Sequence, residues 1–238
     1  MTDAPATVDP GRAIKDGRQV ISNLTAGGAA VALGALGVTA TSVFYALSPP
    51  AAAQPAQPFD QALALAGAVA GARTMFAAGT VGVLSDIVMA VGAFLVALEL
   101  ARRGRGLAVA GWVAIFLSIV VFTFVDAIVG YVLSPVAALS DGVGAFTAFK
   151  RLFDGLFLLG TMAFGAGAMI ALTNEMQSTA PLASKPLTLA GALTGLAGVL
   201  AAAACLAGFP FQQGVGISIG FGSAIFVAIG LQIVSKSQ

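Results

Sequence analysis

Three aspartates interrupt otherwise apolar stretches of the chain: Asp86 in "GVLSDIVMAV", Asp126 in "FTFVDAIVGY" and Asp154 in "KRLFDGLFLLG". A charged side chain in hydrocarbon costs about 2.5–3.5 kcal/mol on insertion scales. An acid kept at that cost can accept a proton, hold a cation, bind a solute, or fix the register of neighbouring helices. Arg73, Lys150 and Arg151 lie near the same ends of these stretches and are candidate partners. Asp86, Asp126, Asp154, Arg73, Lys150 and Arg151 are therefore read as one intramembrane polar cluster. Three acids could also surround a hard cation such as Mg²⁺, which takes oxygen ligands. No nucleophile–base pair or dedicated metal set accompanies them, so an enzyme is the least favoured reading, and no catalytic residue, metal or cofactor is expected.

The elements that must position these acids are membrane spans. The chain has 238 residues, 58% of them hydrophobic and 9% charged, with a mean hydropathy of +0.98; a soluble domain carries about 25% charged residues. A span takes about 20 mostly apolar residues, and six stretches qualify, near 20–47, 75–100, 106–133, 152–174, 186–208 and 213–234. The expected fold is all-α: a six-helix transmembrane bundle over 20–238, behind a polar cytoplasmic tail at 1–19. The first span stops at "SPP", because consecutive prolines disfavour a continuing helix. The Ala-x-Ala triplet at 51–53 fits a cleavage site, but the apolar run before it is too long for a signal-peptide core. "PPAAAQPAQPFDQ" reads as an extended connection, and 61–71 fits either a short interfacial helix or an extension of the second span.

Orientation follows from Lys and Arg, which favour the cytoplasmic side. With the N-terminus inside, that side holds Arg12, Lys15, Arg18, Arg102, Arg103, Arg105, Lys185 and Lys236, against Arg73, Lys150 and Arg151 outside. Both termini are thus expected in the cytoplasm, and the chain in a bacterial inner membrane. At 1.5 Å per residue, all three aspartates then fall in the outer half of the bilayer. Tyr45 and Tyr131 fall at the outer ends of spans one and three, where amphipathic rings favour the interface.

Helical faces show where the acids should point. At 100° per residue, Asp86 shares a face with Gly79, Gly82, Ala90, Ala93 and Ala97. Asp154 shares one with Thr161, Gly165 and Ala168, and Asp126 lies near Thr123 and Gly130. Small residues are what one membrane helix presents to another, so the acids should face the bundle, paired with cations or carrying protons. Glu99 and Arg103, four apart, predict an exposed helical ion pair. "RRGRG" reads as a topology signal. Gly191 with Gly195, and Gly216 with Gly220, are small-xxx-small pairs that suit packing within the chain, or a homo-oligomer or partner surface.

Several function classes are excluded or weakened. A net charge of +1 gives no electrostatic case for nucleic acid. The absence of histidine rules out His-ligated zinc or haem and a Ser-His-Asp triad. A single cysteine, Cys205, cannot form an intramolecular disulfide.

The run "GVLSDIVMAVGAFLVALEL" with its basic turn, "FDGLFLLGTMAFGAGAMIAL" and "KPLTLAGALTGLAGVL" together resemble a bacterial family of uncharacterised six-helix integral membrane proteins, over roughly 70–208. The resemblance implies the same architecture, with Asp86 matching an aspartate of the family's second helix, and implies no activity. Beyond the lipid bilayer as solvent, two roles follow. The preferred one is a non-enzymatic accessory or assembly subunit of a membrane complex, since so few polar groups could bind a solute. The alternative is a small proton- or cation-coupled permease using the intramembrane aspartates.

Overall fold

The computed structural model describes residues 22–55 and 59–237; the polar tail with Arg12, Lys15 and Arg18 lies outside them. Nine α-helices and no strand occur among the described residues: α1 Asn23–Leu47, α2 Pro50–Ala53, α3 Gln61–Ala70, α4 Ala72–Arg102, α5 Gly106–Ile128, α6 Ser134–Ala137, α7 Val143–Gln177, α8 Lys185–Leu206 and α9 Gln212–Ser237. Six helical segments are long and apolar enough to cross a membrane: α1, α4, α5 continued through α6, α7, α8 and α9. The expected six-helix architecture is present. α4 and α7, with 31 and 35 residues, measure about 46 and 52 Å at 1.5 Å per residue, well beyond a hydrocarbon core of about 30 Å. Their ends project past the apolar layer, which is why both exceed the spans read from hydropathy.

The spans form a ring in chain order. α1 packs on α4, α4 on α5, α5 on α7, α7 on α8, α8 on α9, and α9 returns to α1. Glycines set the seams, because lipid supplies no hydrophobic drive between helices and close contact must replace it. A Cβ on Gly92 of α4 would meet the Val31 backbone of α1, one on Gly111 of α5 the Ala171 backbone of α7, and one on Gly230 of α9 the Gly28 carbonyl of α1. Gly195 likewise lies on Gly165, so the Gly191/Gly195 pair serves packing within the chain. Gly216 and Gly220 differ: nothing lies within 4 Å of an added Cβ at either.

The end of the bundle that carries the described terminal residues (the terminal end) is stitched by polar contacts. Buried Glu175 pairs with Arg105 (Oε1 to Nη1, 3.0 Å) and accepts from the Leu182 amide (2.8 Å). Gln232 accepts from the Ser184 amide at 2.6 Å. Glu175, one residue past the span expected at 152–174, lies on the last inward turn of α7. Glu99 pairs with Arg103 at 3.2 Å as expected and also with Arg102 at 3.5 Å. Gly104, at φ +67°, takes the left-handed turn between α4 and α5.

At the opposite, distal end, the connection after α1 is not extended throughout, as its prolines suggest. Pro50–Ala53 is a short helix whose Ala52 and Ala53 are fully buried, packed on α3. α3 is a separate helix, ended by Gly71 and not continuous with α4. That settles the choice left open for 61–71 against an unbroken second span.

Candidate functional site

Asp86 lies near the centre of α4, and its neighbours Gly79, Gly82, Ala90, Ala93 and Ala97 are buried, as the face analysis expects. Asp126 lies two residues before the end of α5, where the helix widens into a π turn, Val129–Leu133. Such turns recur at functional sites. Here the turn carries Gly130 directly onto Gly79 of α4, and the absent side chain of Gly82 leaves the space that the Asp126 carboxyl fills. These two approaches set the carboxyls of Asp86 and Asp126 against each other across the α4–α5 seam. Their residues are 3% and 6% exposed. Two carboxylates in contact have only acceptors to offer, so such a pair must hold a proton or another cation between them.

Tyr45 completes the arrangement. Its hydroxyl donates to Asp126 Oδ1 at 2.6 Å, although the sequence reading assigned this ring to the interface. α1 ends only two residues later, which made an interfacial anchor the natural inference; the ring instead turns inward and packs edge-on against Phe157 of α7 (6.3 Å). Tyr131 is exposed on the bundle surface, its hydroxyl donating to Thr80 Oγ1 at 3.1 Å. Replacing Tyr45 with Phe should lower stability by roughly 1–2 kcal/mol, between the value of a charge-assisted bond and the smaller mean found inside membranes. Equilibrium unfolding in mixed micelles would measure it.

The acids face a cavity of about 420 Å³ enclosed by the helix ring. Below them, toward the terminal end, the ring is plugged. Phe226 of α9 reaches across to Trp112 of α5 (6.0 Å, edge-to-face) and Phe164 of α7 (5.1 Å), with Ile115 and Ile229 buried beside them. Toward the distal end the lining runs out to Gln54, Gln212 and Gln213, and Gln213 is exposed. The cavity is one-sided. Asp86 lines it, and its Oδ2 is buried without a hydrogen-bond partner. Buried polar atoms are paired in nearly all cases, so this oxygen requires the proton or cation that the contact with Asp126 already demands.

The six candidate residues do not form one cluster. Asp86 and Asp126 come together. Asp154 pairs instead with Lys150, whose ammonium also donates to the Gln54 carbonyl at 2.9 Å. Lys150 is fully buried and lies near the Phe59 and Phe153 rings (5.9 and 5.1 Å to their centroids). This clasp ties the first turns of α7 to the connection after α2, so it holds the distal rim of the cavity. Arg73 and Arg151 are exposed and belong to no ion pair among the described residues. The described residues bring no three acids together around one point, so a shared hard-cation site built from all three aspartates is not what the geometry forms.

Compared with known proteins, the chain matches no family model, no curated protein and no solved structure.

Proposed function

We propose that this protein is a non-enzymatic small-solute carrier of the bacterial inner membrane, with the Asp86–Asp126 pair as its proton- or cation-accepting centre. The observation that carries the reading is the buried Asp86–Asp126 pair on the wall of a cavity open toward one end and plugged at the other. A proton- or cation-coupled carrier uses an intramembrane acid reached from one face at a time; an accessory subunit needs neither the cavity nor the acid pair. The sequence alone favours the subunit because it shows few polar groups, but two of the three aspartates, Tyr45 and several hydroxyls line one space. The Lys and Arg distribution supports cytoplasmic termini, so the distal mouth opens outward in this reading.

Proteoliposomes test this. Uptake of protons, ²²Na⁺ or ⁸⁶Rb⁺ down an imposed gradient should fall by about tenfold or more in Asp86→Asn or Asp126→Asn, the size of effect expected when a charged hydrogen-bond partner is lost. Equal uptake of every probe by wild type and variants, with a stoichiometric protein partner co-purifying, would favour the subunit role instead.

A further inference from the structure

Resting on that carrier reading, we propose that the solute is an amphiphilic organic cation, and that it reaches the cavity from the lipid through a gap between α1 and α9. Charge is the first ground. Among the described residues, Asp86 and Asp126 are the only ionisable acids or bases along the cavity wall besides the Tyr45 phenol, and no Lys or Arg lines it.

The hydroxyls point the same way. Thr41 and Ser42 donate to carbonyls four residues back in α1 (3.0 Å each), Thr161 does so in α7 (2.8 Å) and Thr194 in α8 (2.9 Å). Ser218 and Ser223 bond to carbonyls three back in α9 (2.8 and 3.0 Å). Tyr45 donates to Asp126. With its proton engaged, each of these oxygens can only accept. The deep wall thus offers acceptors and negative charge, which suits a donor or cation and rejects an anion.

The rest of the wall is apolar and aromatic. Phe157 stands edge-on to both Tyr45 and Phe122 (5.9 Å to the latter), beside the acids. Aromatic faces attract cations and accept an apolar body equally well. A ligand with a cationic head and a hydrophobic body satisfies every part of this surface.

The route follows from the seams. α1 and α9 meet at Gly28 and Gly230, and again where the Thr39 and Ser223 hydroxyls lie 3.0 Å apart. Distal to that contact, the cavity-lining Ala46, Gly216 and Ile217 are exposed, and an added Cβ at Gly216 would meet nothing. The neighbouring wall is closed at this level by Leu158 of α7, Ala202 and Cys205 of α8 and Val215 of α9. The opening therefore lies on the α1–α9 side, where an amphiphile dissolved in one leaflet would meet it.

Tetraphenylphosphonium and tetraphenylborate, alike in shape and opposite in charge, provide the test. The purified full-length protein should bind radiolabelled tetraphenylphosphonium saturably and tetraphenylborate not at all. Asp126→Asn or Asp86→Asn should weaken the cation's binding by about tenfold or more, since the charge acts in a low-dielectric space. Gly216→Phe, which has room to fold normally, should slow cation association while leaving the melting temperature near wild type. Equal binding of both ions, or unchanged cation affinity and association rate in folded variants, would overturn the proposal. Cation binding without any flux in liposomes would remove the carrier reading and leave the ligand class standing. An Asp86-dependent flux of a neutral or anionic solute, with no cation binding, would do the reverse.

Discussion

Lys150→Ala should lower the unfolding free energy by roughly 3–5 kcal/mol, the cost of breaking a buried ion pair from one side. The ammonium is fully buried, and it is held by Asp154 and the Gln54 carbonyl. Removing it opens a void between the Phe59 and Phe153 rings and also unties the connection after α2. A double replacement, Lys150→Met with Asp154→Leu, should recover much of the loss, because buried ion pairs replaced by apolar groups of similar size are often neutral. Arg151→Ala is the control: that side chain is exposed, and its removal should change stability by no more than about 0.5 kcal/mol. Unfolding curves in mixed micelles separate the three.

The second large effect belongs to Gly79. Its α-carbon lies on Gly130 in the π turn, and a side chain there would collide with the Gly130 backbone and the Asp126 carbonyl. Gly79→Leu must therefore push α4 from α5 just beside the acid pair. Overpacking a close contact costs about 1–3 kcal/mol, and here neither helix can yield without moving Asp86 from Asp126. Loss of Asp-dependent uptake should exceed what the stability change alone explains. Gly216→Leu, which enters open space, should leave stability near wild type. Comparing the two variants by melting and by uptake isolates the seam from the cavity.

Much of this architecture is written in single residues. Six apolar runs gave six spans, and the Gly and Ala faces around Asp86 and Asp154 pointed inward as their spacing requires. The halt of α1 before Pro49 was equally legible. What remained hidden depended on three-dimensional closure. Tyr45 could be placed at a helix end by sequence, but only its rotation toward Asp126 makes it a partner. Lys150 and Arg151 are adjacent and identical in charge, yet one lies on the buried face of α7 and the other on the exposed face. Their split divides the acids into a cavity pair and a structural clasp. Buried Glu175 was missed because α7 runs past its apolar core into what reads as loop. Gly216 and Gly220 have the spacing of a packing motif yet face open space.

Access to the acids from one side is the claim on which the function rests, and thiol labelling measures it directly. The chain has a single cysteine, Cys205, so Cys205→Ala provides a background without thiols. In it, Thr161→Cys places a reporter on the cavity wall and Ile229→Cys places one in the plug. A small membrane-impermeant thiol reagent should modify Thr161→Cys when applied at the distal face only, and should leave Ile229→Cys untouched from either face. Modification of Thr161→Cys from the terminal face, or from neither, would contradict a one-sided cavity leading to Asp86 and Asp126.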